Sequence, residues 1–228
     1  METQMENNQI FCDKYFGNRE KVVRIRIGKQ LDQIEKTFDQ LNSPVMARLM
    51  NAQLNDPLTI NELLSFEPKR RQEVLSAILY DDALWRLQAA RIMLCIGMLN
   101  VCYSNLRSCL DDVVGAHIIE NLDEQAVSFL KTGEINPTKI GSLIPEKYND
   151  YIKAIKDAMG KWGVHCSLDS AQLGIAFGPS TFDKMLSNTK VPREEALSED
   201  FEIAAKVCLK AMNDVFLMFM FLISKGTK

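Results

Sequence analysis

The chain is most distinctive at residues 167–180, which read SLDSAQLGIAFGPS. Leu173 and Phe177 stand four residues apart, so they can share the buried face of a short amphipathic helix. Gly178 suits the left-handed conformation that ends many helices, and Pro179 cannot continue one. The stretch therefore predicts a helix that ends abruptly, and helical packing becomes the starting point for the fold.

Helical periodicity recurs along most of the chain, whereas alternating runs flanked by turn residues are scarce. The segments with helical patterns lie near residues 19–41, 44–54, 59–65, 68–79, 81–103, 105–120, 123–131, 137–143, 145–160, 168–177, 180–187 and 198–224. A candidate strand at residues 22–27 continues into a helical pattern, which favours helix there as well. The sequence predicts an all-α fold, a single-domain multi-helix bundle.

Several predicted helices carry local signals at their starts. Ser43 is a suitable N-cap, and the following Pro44 favours the first position of a helix. Thr59 and Glu62 have the spacing of a capping box, and Asp123 is suited to cap a helix at residues 124–131. These signals agree with the boundaries that the periodicity predicts.

Four segments occur in a suggestive order: IRIG at 25–28, RLMNAQLNDPL at 48–58, IPEKYN at 144–149 and LDSAQLGIAFGP at 168–179. Together they resemble Rho-family GTPase-activating (RhoGAP, or BCR-homology) domains. The last segment is similar to the family's Thr/Ser-x-x-Asn-Leu-Gly-Ile-Val-Phe-Gly-Pro helix. The second resembles its Lys-Leu-x-Leu-Arg-x-Leu-Pro-x-Pro-Leu segment, the third its Leu-Pro-x-x-Asn segment and the first its arginine-finger loop.

The resemblance implies a domain organisation. A RhoGAP-like helical domain would occupy residues 19–225, preceded by a flexible segment at residues 1–18. Residues 66–141 would be a helical insertion, because this stretch is longer than the usual connection in the family. The partner implied is a small GTPase of the Rho family.

The family's functional positions are only partly kept. Arg26, or Arg24 if the register shifts, falls near the finger arginine, and Arg48 falls on the motif's lysine. Ala52 replaces an arginine and Gln172 replaces an asparagine, so one supporting group is lost and another is lengthened. We therefore expect no catalytic residue, with Arg26 as a weak candidate, and partner binding through Arg24, Arg26, Arg48 and Gln172.

These departures predict a non-catalytic RhoGAP-like module in signal transduction that binds a small GTPase or another signalling protein and is not an enzyme. Two alternatives stay open. The chain could be an active GTPase-activating protein that uses Arg26 to neutralise charge on the transferred phosphoryl group. It could instead be a helical structural protein that forms homo-oligomers through its C-terminal helix.

Composition and motifs argue against several other classes of function. A net charge of −3 and a pI near 5.5 argue against a nucleic-acid surface, which needs a concentrated basic field. The sequence has no glycine-rich phosphate loop, so no nucleotide cofactor is predicted. His117 and His165 lack metal-ligand spacing, which predicts neither a metal site nor a catalytic pair.

Cysteine usage and the chain ends bear on location. Cys95, Cys102 and Cys109 repeat every seven residues, which favours buried thiols in a reducing cytoplasm over disulfides or metal ligands. Residues 1–9 lack the pattern of a secretory signal. The apolar run at 215–223 is shorter than the roughly 20 residues of a spanning helix, so we expect no membrane span. It is interpreted as a buried C-terminal helix or, alternatively, an exposed dimerisation or membrane-surface face.

Overall fold

The computed structural model describes residues 2–53, 58–159 and 199–225. Within these ranges the chain is all-helical and has no strand, which confirms the predicted fold class. The elements are α1 (Glu2–Ala52), α2 (Ile60–Ser65), α3 (Pro68–Cys95), α4 (Leu99–Asn121), α5 (Asp123–Thr132), a 3₁₀ helix (Pro137–Ser142), α6 (Glu146–Met159) and α7 (Glu199–Lys225). The helices predicted at 168–177 and 180–187 lie outside the described residues.

Helix α1 is one continuous element, whereas the sequence predicted a break between residues 41 and 44. Pro44 lies inside this helix, so the prediction that it would begin a new one is wrong. Phe38, Leu41 and Val45 are all buried at helical spacing on either side of the proline. Packing of this face therefore outweighs the local cost of an internal proline. The helix begins at Glu2, within the segment that we expected to precede the domain.

The boundary between α3 and α4 lies at Gly97, which the sequence reading missed when it predicted breaks at residues 80 and 104. Gly97 has a φ of 73°, the left-handed conformation that glycine adopts without strain. The Gly97 amide donates to the carbonyl of Leu94 at 2.9 Å, and the Met98 amide donates to the carbonyl of Met93 at 2.7 Å. These two bonds form a Schellman motif, which ends α3 and turns the chain into α4.

Two helix starts were predicted correctly. The Thr59 hydroxyl accepts from the Glu62 amide at 3.3 Å, and the Glu62 carboxylate accepts from the Thr59 amide at 2.7 Å, as in a capping box. Helix α3 begins at Pro68, as predicted. Asp123 is the first residue of α5, and its N-cap is Leu122, so the predicted cap is displaced by one residue.

The centre of the bundle is the hairpin of α3 and α4, which a three-residue connection joins and which pack along their length. Helix α1 packs on α3, and α7 packs on α4 and α1. Residues 66–141, which the resemblance treats as an insertion, thus supply the two central helices. Their buried apolar side chains form a large part of the core.

Aromatic stacking fixes α7 against three other helices. Phe216 stacks on Phe38 of α1 with ring centroids 5.7 Å apart, and Phe219 stacks on Tyr80 of α3 at 5.8 Å. Phe221 stacks on a third ring, that of Tyr148 in α6, at 4.2 Å. Most of the apolar run at 215–223 is buried by these contacts, which agrees with its interpretation as a core helix.

Candidate functional site

Arg48, predicted as a partner-binding residue, lies in the interior between α1, α4 and α7. Its guanidinium pairs with the carboxylate of Glu120, and each of these side chains is only 14% exposed. It also donates to the backbone carbonyl of Ile223 at 2.7 Å and lies 4.9 Å from the centre of the Tyr80 ring. Arg48 is therefore engaged by three helices of its own bundle.

Arg48 contacts the C-terminal end of α7, where the helix offers free backbone carbonyls. The last four carbonyls of a helix have no partner inside it, and a cation there interacts favourably with the helix dipole. Arg48 satisfies the carbonyl of Ile223, while His117 forms a hydrogen bond with the backbone of Leu222. We call Arg48, Tyr80, His117 and Glu120 the polar cluster. It holds the end of α7 in place.

His117 lies in this cluster, but its environment does not suit a general base at neutral pH. Burial lowers the pKa of His117 to about 4, and the nearby Arg48 cation acts in the same direction. The side chain is 3% exposed, and its Nδ1 atom has no hydrogen-bond partner. A neutral imidazole sealed from solvent can support packing, whereas proton transfer requires contact with a reacting group.

A second buried cation joins α2, α3 and α5. Arg71 donates from Nε and Nη2 to the two carboxylate oxygens of Asp123, each at 2.9 Å. Its Nη1 donates to the backbone carbonyl of Leu64 at 2.8 Å. This fork geometry is the one in which arginine binds a carboxylate most specifically. The basic triplet at residues 69–71 was the only sequence signal for it, and the sequence does not identify the acidic partner.

The structure does not bring the predicted site arginines together. Arg24 pairs with Glu20 at 2.8 Å and with Asp32 and Glu35 at 3.1 Å, all of them on α1. The backbone of Arg26 is helical, as the sequence predicted, and its side chain lies outside the described part, as does Gln172. Because α1 is continuous, Arg26 and Arg48 lie about 33 Å apart along its axis. They cannot both contact one phosphate group.

Cys95, Cys102 and Cys109 are buried, as predicted, and so is Cys208. Burial raises the pKa of the Cys102 and Cys109 thiols well above the usual value, so neither is an activated nucleophile. Cys95 ends α3, whereas Cys102 and Cys109 lie on α4, so the three do not share one helix. Cys102 contacts Cys208 of α7 with 3.1 Å between the two sulfur atoms, a pairing that the sequence reading did not anticipate.

An acidic patch on α4 is partly neutralised by neighbouring cations. Asp112 pairs with Arg86, and Asp111 pairs with Lys156 at 2.5 Å and Arg107 at 2.9 Å. Burial raises the pKa of Asp112 to about 6, although Arg86 acts to lower it. Within the described residues no group of three or more His, Cys, Asp or Glu side chains is arranged to hold a metal ion.

Exposed apolar side chains occur on several helices, including α1, α7 and α3, where Trp85 is 69% exposed. Met46 and Met50 lie one turn apart on the outer face of α1, and Met50 is 71% exposed. On α7, the outer face carries three further exposed apolar residues, Ile203, Val207 and Leu217. Large exposed methionines and aliphatic residues are common at protein-binding surfaces.

Comparison of the chain with protein-family models, with curated proteins and with solved structures gives no match. The likeness to RhoGAP domains therefore stays a prediction. One helix in the described ranges is long and apolar enough to cross a membrane, at Ala205–Lys225, and half of it is buried inside the protein. This helix is longer than the apolar run at 215–223. The core helix of a protein can meet the same requirement for length and apolar composition.

Proposed function

We propose that this chain is a non-catalytic helical module that binds a protein partner through the outer face of α1. The partner that the sequence resemblance suggests is a small GTPase of the Rho family, and the role would be recruitment or competition in signalling. The main observation behind the proposal is that neighbouring residues of α1 face in opposite directions. Arg48 forms its ion pair in the interior, whereas the side chains of Met46 and Met50 are exposed to solvent.

The positions of three reactive side chains favour the proposed non-catalytic role. Arg48, His117 and Cys102 are all engaged inside the bundle, and none of them faces solvent as a nucleophile, base or phosphate ligand would. The separation of Arg26 from Arg48 along α1 also disfavours a finger arginine assisted by a second cation. A binding surface needs no such convergence, because contact area and transition-state stabilisation are separate properties.

A binding assay with Rho-family GTPases, each loaded with GDP or a GTP analogue, tests the proposal. We expect M46E/M50E to weaken binding by tenfold or more, because two exposed apolar contacts become charged and must be desolvated. The matched control is Ile25→Glu, an equally outward-facing apolar position about 32 Å away along α1. If the wild-type chain binds none of the GTPases, or if both variants weaken binding equally, the proposed surface is wrong.

Single-turnover hydrolysis of GTP separates binding from catalysis. We expect the chain to leave the hydrolysis rate nearly unchanged and Arg26→Ala to have no effect on it. A stimulated rate that falls roughly 100-fold in Arg26→Ala, equivalent to about 2.7 kcal/mol of activation barrier, would instead establish an arginine-finger enzyme.

The outer face of α7 favours a second candidate function, self-association. Ile203, Val207 and Leu217 are exposed on this face, whereas the face that carries Cys208, Met212 and Phe219 is buried. Light scattering over a range of protein concentrations, with Leu217→Glu as the variant, distinguishes the two candidates. A dimer that dissociates in this variant would favour the structural role over the binding module.

A further inference from the structure

The contact between Cys102 and Cys208 joins two helices that are far apart in the sequence. Cys102 lies in the first turn of α4 and Cys208 in the first half of α7, 106 residues later. Both side chains are fully buried, and their sulfur atoms are 3.1 Å apart. A disulfide bond is about 2.05 Å long, so the two sulfurs would need to approach by about 1 Å to bond.

We propose that Cys102 and Cys208 form a reversible two-electron oxidation site, whose oxidant is hydrogen peroxide or another small neutral peroxide. The inference rests on this contact alone and does not depend on the proposed partner. The product is a disulfide that ties α7 to α4.

The chemistry balances with one peroxide. One thiolate attacks a peroxide oxygen, the O–O bond breaks, and a sulfenic acid and one water form. The second sulfur then attacks the sulfenic sulfur, the S–S bond forms, and hydroxide leaves as a second water with the proton from the second thiol. Two thiols are thus oxidised by two electrons, while one peroxide is reduced to two waters. A dithiol reductant reverses the reaction by thiol–disulfide exchange.

Burial determines which oxidants can react and how fast. Neither thiol is exposed, so a bulky disulfide such as oxidised glutathione cannot reach the sulfur atoms in the closed bundle. Burial also raises the pKa of Cys102, which keeps it in the less reactive thiol form. We therefore expect slow oxidation of the folded chain by hydrogen peroxide, which is small enough to reach the sulfur atoms during a partial opening of α7 from α4. Once formed, the bond restricts that opening.

The experiment treats the reduced full chain with excess hydrogen peroxide, quenches it with a thiol-blocking reagent and digests it without reductant. Mass spectrometry should identify a linked pair of peptides containing Cys102 and Cys208, lighter by two hydrogen atoms and separated by dithiothreitol. The oxidised chain should also unfold at a temperature roughly 5–10 °C higher, because the bond closes a long loop of the unfolded chain.

Two cysteine variants provide the matched comparison. Cys109→Ala removes an equally buried thiol two turns further along α4 and should keep both the link and the thermal shift. Cys208→Ala should lose both. Failure of the wild-type chain to form the Cys102–Cys208 link, or a dominant link between any other pair of cysteines, would overturn the proposal. The mapping on wild-type protein decides the question even if Cys208→Ala folds poorly.

Discussion

Replacing Arg48 with methionine tests whether the polar cluster holds the bundle together. Methionine keeps much of the side-chain length but removes the cation. The Ile223 carbonyl then loses this donor, and the Glu120 carboxylate loses its cation but still accepts from the Tyr80 hydroxyl at 3.5 Å. Removal of one member of a buried ion pair costs about 3–5 kcal/mol, because the remaining charge is desolvated and uncompensated. Loss of the cation at the end of α7 adds about 0.3–1 kcal/mol. We expect R48M to lower the free energy of unfolding by roughly 3–6 kcal/mol in total.

Urea unfolding followed by circular dichroism measures this effect. The double variant R48M/E120L should regain a large part of the loss, because no charge then remains buried. The control is K153M, which breaks a pair between Lys153 and Asp150 whose side chains are 63% and 64% exposed, and which should change stability by less than about 0.5 kcal/mol. An effect of R48M no larger than that of K153M would refute the role given to the cluster.

Two further predictions concern a helix end and pH. Gly97→Ala should lower the free energy of unfolding by about 1–2 kcal/mol in thermal or urea unfolding, because Gly97 has φ 73°. The control is Gly28→Ala within α1, where a Cβ would meet only the Arg24 Cβ at 3.7 Å, and it should be neutral or stabilising. Equal effects of the two substitutions would contradict the Schellman motif. Burial lowers the pKa of His117 from 6.5 to about 4, so the contribution of the neutral imidazole to folding stability is lost as pH falls from 6.5 to 4. Burial raises the pKa of Asp112 from 3.8 to about 6, so protonation of this carboxyl adds folding stability as pH falls. The free energy of unfolding in urea should be measured at pH values between 6.5 and 4. On lowering the pH, Asp112→Asn should lose roughly 3 kcal/mol more than wild type, and His117→Gln roughly 3 kcal/mol less. Curves of stability against pH that run parallel for all three proteins would contradict both pKa shifts.

Local sequence predicted helix starts where the stabilising groups are neighbours in the chain. Thr59 and Glu62 satisfy each other across one turn, and Pro68 needs no amide partner at the start of α3. The same reasoning failed at Pro44, because the burial of Phe38 and Val45 on one continuous face depends on α3 and α7. A local cap signal is worth about 1 kcal/mol and is easily outweighed by such packing.

The candidate site was less predictable than the fold. Arg48 was predicted to bind a partner, which stays a prediction, and only the folded structure shows that it contacts Glu120 and the end of α7. The contact of Cys102 with Cys208 was equally hidden, since the two residues are 106 positions apart. Neither pairing has a sequence pattern, because nothing in the chain fixes the relative register of two helices before they pack.

The sequence by itself determined that this protein is helical, because apolar spacing and capping act within one or two turns of the chain. It also determined that the cysteines of α4 would be buried. Only the tertiary structure decided that residues 68–121 form the central hairpin and that Arg48 faces inward. The physical reason is that burial of one helix face against another, with the pairing of its charges, is set by contacts between distant segments.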